Sequence, residues 1–194
     1  MISFIFTAII AYLLGSVSSA IIVCKFLGLP DPRTQGSGNP GATNVMRIGG
    51  KNAAIITLIG DALKGLLAVL IGRLFGVEGF LLGIVGVAAL LGHIYPIFFQ
   101  FKGGKGVATA FGALLGMSLP VALVAAITWT LVIVFSRYSS LAALVTAVLA
   151  PVYTILFADF AYFFPVIIMS GIMIWRHWDN IQRLKTGTEN KINL

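Results

Sequence analysis

Three short segments hold most of the residues able to handle an anion. The first is Gly36-Ser37-Gly38-Asn39-Pro40-Gly41-Ala42-Thr43-Asn44, with Arg47 after it. Its glycines let the backbone turn sharply and expose successive amides, a geometry that binds anions. Ser37, Asn39, Thr43 and Asn44 add neutral hydrogen-bonding groups, and Arg47 adds a planar fork suited to phosphate. The spacing satisfies the G-x-G-x-x-G pattern of dinucleotide sites. An apolar run precedes it where that pattern needs a strand, so the dinucleotide reading is rejected. An ordinary Gly/Asn/Pro turn is the plain alternative.

The second segment is Phe101-Lys102-Gly103-Gly104-Lys105-Gly106-Val107-Ala108-Thr109. It lacks the spacing of a Walker loop. A glycine-rich turn that opens a helix still offers free amides and the positive end of the dipole, a phosphate site. Lys102 and Lys105 add charge there, although two cations at a membrane surface also serve as topology anchors. The third segment runs Arg176-His177-Trp178-Asp179-Asn180-Ile181-Gln182-Arg183-Leu184-Lys185. On one continuous helix Arg176, Asn180 and Arg183 share a face, and His177 can exchange a proton near neutral pH. A basic amphipathic tail lying on the bilayer is the competing reading. Asp61 and Lys64 stand three apart in an otherwise apolar run. Mid-membrane charges cost about 2.5–3.5 kcal/mol each on insertion scales, so this pair either clamps the bundle or serves function. His93 reads as structural, and two histidines so far apart point to no metal. Neither G-x-S-x-G nor a reactive cysteine setting is present for covalent catalysis.

The elements that must position these segments are membrane helices. Of 194 residues, 59% are hydrophobic and only 10% charged, and the mean hydropathy is +1.02; a soluble domain carries about a quarter charged residues. A crossing helix needs roughly 20 apolar residues. The expectation is an all-α polytopic protein, one domain over 1–194, with seven spans near 2–24, 52–72, 79–100, 106–118, 120–136, 139–157 and 160–175. Loops 25–51, 101–105 and 137–138 and the tail 176–194 hold eleven of the thirteen lysines and arginines. Seven spans put all of these on one side, which the preference of cations for the cytoplasmic side requires. The N-terminus is then outside and the C-terminus cytoplasmic. The first span carries no positive leader region or cleavage site and reads as retained. Gly79/Gly83 and Gly112/Gly116 suit close helix packing. The net charge of +7 is divided among short loops, which argues for anionic lipid or substrate and against nucleic acid. Cys24, the single cysteine, leaves no partner for an intrachain disulfide.

The sequence resembles the PlsY family of bacterial membrane-integral acyl-phosphate:glycerol-3-phosphate acyltransferases over essentially its whole length. The resemblance rests on the 36–44 and 101–109 segments and on Arg176-His177 through Asn180-Ile181-x-Arg183-Leu184 to Gly187-x-Glu189. Gly60-Asp61 and Lys64-Gly65 are similar to the family's second span. The resemblance implies a seven-helix inner-membrane enzyme with its site toward the cytoplasm. Its reaction would be acyl transfer from acyl phosphate to the 1-hydroxyl of glycerol 3-phosphate, giving lysophosphatidic acid and phosphate, with no cofactor. A mixed anhydride needs no enzyme nucleophile, in keeping with the absence of one. The expected catalytic set is His177, Ser37, Asn39 and Asn180. Substrate binding would fall to Gly36, Gly38, Gly41, Thr43, Asn44, Arg47, Lys102, Gly103, Gly104, Lys105, Gly106, Arg176 and Arg183, with the loop amides holding phosphate. The competing class is a small organophosphate transporter, which Asp61 and Lys64 alone support.

Overall fold

A computed structural model describes residues 1–192. Its helices are α1 (Ile2–Gly15), α2 (Ser19–Phe26), α3 (Ala42–Leu74), α4 (Gly79–Ile94), α5 (Val107–Met117), α6 (Leu119–Ser136), α7 (Ser139–Phe157), α8 (Phe163–Arg176) and α9 (Trp178–Lys185). Single 3-10 turns lie at Ile97–Phe99 and Phe160–Tyr162. A helix satisfies its own backbone polar groups, which is why apolar sequence in a bilayer adopts it. Among the described residues, five helical stretches are long and apolar enough to cross a membrane, and a sixth joins them if α8 and α9 count as one bent span.

Contacts sort the connections into two ends. Arg33 donates to the Phe99 carbonyl, Arg176 to that of Gly104, and the Ile192 amide to that of Arg137. These gather the cationic segments at one end of the bundle. At the other end Arg73 donates to the Met117 carbonyl, Ser118 to that of Phe157, and Phe6 packs on Phe75 at 5.3 Å.

Several boundaries differ from the sequence reading. The first span is broken, since α1 ends at Gly15 and α2 begins at Ser19. The Val17 carbonyl exposed at that break accepts from Lys64 Nζ at 2.8 Å, so the break and the buried charge satisfy each other. The helix expected from 52 starts at Ala42, where Gly41 supplies an extended N-terminus, and kinks at Gly50, whose φ is 79°. The helix expected to reach 100 stops at Ile94, because Pro96 disfavours helical backbone at Tyr95. The fourth expected span, 106–118, corresponds to α5 within one residue at each end, and its 11 residues give about 16 Å of rise against a hydrocarbon core of about 30 Å. An extended segment leads into it: the Gly103 and Gly104 amides donate to the carbonyls of Ile94 and His93, each at 3.2 Å. The segment thus runs beside the last turn of α4 and starts α5 partway into the bundle. Finally, the chain bends by 57° at His177, so Arg176 does not share a helix face with Asn180 and Arg183.

Small residues bring the inner helices together. A methyl group on Gly65 would strike the backbone of Thr109, and one on Gly112 would strike that of Ala62. α3 and α5 therefore touch backbone to backbone, the close approach that small residues permit in membranes. The expected packing glycines Gly83 and Gly116 lie against Pro165 and Val69. Leu82, Val85, Leu90 and Val69, all nearly inaccessible, form the centre of the bundle.

Candidate active site

The first segment is shaped by one side chain. Asn44 is 1% exposed; its Oδ1 accepts from the Ser37 amide at 2.9 Å, and its Nδ2 donates to the carbonyls of Pro32 and Gln35 at 2.9 and 3.0 Å. These three hydrogen bonds fold the loop around Asn44 and fix the Ser37 backbone. Gly36 lies directly against Asn44 Oδ1 with φ 60°, a place no side chain fits. Ser37 is thereby left exposed with its hydroxyl free, beside half-buried Asn39.

The second segment is fitted against α4. A methyl on Gly104 would meet the His93 ring, and one on Gly106, whose φ is 87°, would meet Leu90. This fit carries Lys105 into the bundle, where its Nζ donates to Asn180 Oδ1. Burial, and then the charge of Arg183, push the Lys105 ammonium down to about 8.

The third segment turns at His177, which is 4% exposed. Its Nδ1 lies 2.7 Å from the Met173 carbonyl. A carbonyl only accepts, so Nδ1 carries the proton and Nε2 keeps its lone pair. Burial is the main reason that His177 is pushed down to about 4; the Met173 carbonyl opposes this and Lys105 adds to it. One turn on, Asn180 donates its Nδ2 to Glu189 Oε1 at 2.6 Å. Glu189 also accepts from Ser140 at 2.7 Å and from Arg183 Nε at 2.7 Å. Burial raises its carboxyl, but these three hydrogen bonds outweigh it and hold Glu189 below the usual carboxylate range. The result is a chain Lys105–Asn180–Glu189–Ser140 that ties the segment before α5, α9, the tail and α7 into one unit. Glu189 and Ser140 were absent from the expected site. The signal available was that Glu189 closes the third motif; its contact with Ser140 is long-range.

These groups line a cavity of about 740 Å³. Its polar part holds Ser37, Asn39, Thr43, Arg47, Lys105 and His177, with Gly36, Gly41, Asn44, Gly106, Asn180 and Arg183 also on its wall. The apolar remainder descends past Phe111, Leu114, Trp129, Ala150, Val166 and Met169. Two helix N-termini open into it, through Ala42 and Thr43 of α3 and Val107 and Ala108 of α5. The expected amide cradle is corrected in part. The amides of Ser37, Gly38, Gly41, Gly103 and Gly104 are engaged in hydrogen bonds within the protein, whereas the first turn of a helix leaves its amides without intrahelical partners.

Not every expected residue is there. Gly38, Lys102, Gly103 and Arg176 line a separate cavity of about 300 Å³. Asp61 reaches the wall of the large cavity. It is paired with Lys64 at 2.9 Å and stands 3.7 Å from His93 Nδ1, all three nearly inaccessible.

Comparison with known proteins gives this geometry its family. The family model described as glycerol-3-phosphate acyltransferase matches residues 5–187. A glycerol-3-phosphate acyltransferase of Coxiella burnetii (strain CbuG_Q212) is 56% identical over 99% of this chain and 100% of its own length. One of Shewanella sediminis (strain HAW-EB3) is 54% identical over 94% of this chain and 91% of its own length. The crystal structure of PlsY (YgiH), an integral membrane glycerol 3-phosphate acyltransferase in its glycerol 3-phosphate form, superposes with a TM-score of 0.93 at 40% identity, covering 98% of this chain and 96% of that one. Its lysophosphatidic acid form gives 0.90 at 39% identity, with the same coverage. A fold, a cavity with one polar and one apolar part, and relatives along the whole chain agree: this protein is an acyltransferase of the glycerol-3-phosphate acyltransferase family.

Proposed function

We propose that the protein transfers an acyl group from acyl phosphate to the 1-hydroxyl of glycerol 3-phosphate within the cytoplasmic membrane, with no covalent acyl-enzyme. The observation that carries this reading is the two-part cavity. Its polar part offers Lys105, Arg47, Ser37 and two helix N-termini for two phosphates, and its apolar part is lined by side chains that suit hydrocarbon. α3 and α6 share no extensive interface. Exposed Leu58 and Ile59 of α3 and exposed Thr130 of α6 border the cavity there, so the acyl chain enters sideways from lipid between these helices.

Both reactants are anions, and at an effective dielectric of about 20 their repulsion at contact is about 4 kcal/mol. Lys105 and Arg47 offset it. Ser37 and Asn39 donate to the carbonyl oxygen as it gains charge, a contribution of about 3–4 kcal/mol for such donors. The hydroxyl oxygen attacks the carbonyl carbon, the bond to phosphate breaks, and phosphate leaves with the electron pair. His177 Nε2 accepts the hydrogen bond of the attacking hydroxyl and aims it. A base with a pKa of about 4 is poorly matched to proton removal near neutrality. A phosphate oxygen, with its second pKa near 6, takes the proton in the end. Seven passes cross the bilayer, α5 being the short fourth, and the cationic end faces the cytoplasm.

The test is phosphate release by purified protein in detergent given palmitoyl phosphate with and without glycerol 3-phosphate. Release that depends on the acceptor is expected; its absence with folded protein would overturn the donor and direct the next assay to acyl-CoA. His177→Ala should keep measurable turnover, with kcat down about 10²-fold, the lower range for positioned proton-handling groups. Loss of all turnover with substrates still bound would return the base role to His177.

A further inference from the structure

A smaller cavity of about 300 Å³ shares no lining residue with the large one. It is lined by Arg33, Lys102 and Arg176, by Phe101, and by the backbone of Gly38 and Gly103. The three cations come from three separate parts of the chain. Only Arg33 has an acidic partner among the described residues, Asp31 at 2.7 Å, and it also donates to the Phe99 carbonyl. Lys102 is exposed with no hydrogen-bond partner for its ammonium among the described residues. Arg176 makes one long contact of 3.5 Å to the Gly104 carbonyl, and its Nε is buried with no partner. Three cations around one cavity against one carboxylate leave a net excess that an anion would neutralise. The backbone that presents Lys102 is itself unusual: Gln100 and Phe101 both have φ of 58°, a conformation that costs about 1–2 kcal/mol per non-glycine residue. Such strain persists where the surroundings enforce it and clusters at ligand sites.

The level of the cavity suggests what reaches it. Phe101 and Trp175 are more than half exposed, and the Arg176 guanidinium lies 5.9 Å from the Trp175 ring centre. Exposed aromatic rings beside cations mark the headgroup level of a bilayer. We infer that Arg33, Lys102 and Arg176 form a second phosphate site, distinct from the acyl-transfer cavity, that takes the phosphate of an anionic phospholipid or free inorganic phosphate. The two sites use the same segments. Gly38 follows Ser37, Lys102 and Gly103 precede Lys105, and Arg176 precedes His177. An anion held there therefore fixes the same three segments that shape the catalytic cavity.

The site is tested by binding, which does not depend on the reaction. Purified protein in neutral detergent is titrated separately with phosphatidylglycerol and with inorganic phosphate, and bound species are counted by native mass spectrometry. The two variants are Lys102→Gln/Arg176→Gln and Lys105→Met. The expected result is one saturable class weakened about thirty-fold in the double variant, at roughly 1 kcal/mol per cation removed, and retained in Lys105→Met. If phosphatidylglycerol saturates that class and phosphate does not, the occupant is a lipid headgroup; the converse makes it free phosphate. Binding that is equal in all three proteins, or lost only in Lys105→Met, overturns the second site and leaves the first untouched. Should the double variant fail to fold, Lys102→Gln alone must show about a five-fold loss, and an unchanged affinity there overturns the site as well.

Discussion

Lys105 and His177 stand in the same cavity with their proton affinities displaced in the same direction, because burial disfavours the charged form of both. For Lys105 the consequence is a window of pH. Its pKa falls from 10.5 to about 8, so the ammonium is present below that value and lost as pH rises through it. We expect kcat/KM to decline above about pH 8, and the limb to move upward in Lys105→Arg, whose charge does not titrate there. The folded state then binds fewer protons than the unfolded one between about 8 and 10.5, so stability rises across this range. Activity lost while thermal stability holds or improves is therefore the signature; parallel loss of both would refute the assignment. Asn44 illustrates a different kind of residue. Removing its three hydrogen bonds in Asn44→Ala should cost about 2–3 kcal/mol of stability, at about 1 kcal/mol each, and raise KM through Ser37. Asn44→Asp should do no better, since it turns an acceptor toward the Pro32 and Gln35 carbonyls. A melting temperature and KM that match the unsubstituted protein would contradict both statements.

At the scale of elements, the buried pair in α3 acts with the break between α1 and α2. Lys64 reaches Asp61 and the Val17 carbonyl together, which makes it the joint between two helices and not a lone charge on a path. Lys64→Met leaves Asp61 buried without its partner, and loss of one member of such a pair costs about 3–5 kcal/mol. Asp61→Asn/Lys64→Met removes both charges and should recover most of that loss. Thermal unfolding in detergent compares the two; a double variant no more stable than Lys64→Met would show that the pair does more than clamp. The short α5 is a second case. Its start is set by the extended segment against α4, and this is what brings Lys105 down to Asn180 when a full-length helix would leave it at the bundle's end.

For the whole molecule, the distribution of charge carries the orientation. Eleven of thirteen cations belong to segments that the fold gathers at one end. The proposal that this end is cytoplasmic is checked with a fluorescent protein fused to the C-terminus and a tag at the N-terminus. Fluorescence in cells, with the tag reached only from outside, is expected; the reverse would invert the membrane assignment and with it the source of the water-soluble substrate.

How much of this was legible in the residues depends on the range of the interaction involved. Helical class, the α6 and α7 limits and the three anion-handling motifs are local properties, because apolar length, proline position and glycine spacing act within a few residues. The extended run that precedes α5, the early start of α3 and the bend at His177 were not legible, since each depends on a neighbour: the α4 carbonyls, the Gly41 entry and the tail. The same holds for the site. His177, Lys105 and Asn180 stand out by type and motif, whereas Ser140 meets the site only through Glu189, and Arg176 and Lys102 line the second cavity instead. Sequence determined which residues could meet a phosphate. Only tertiary packing decided which of them share a cavity, because that is settled by backbone contacts between distant helices and not by spacing along any one of them.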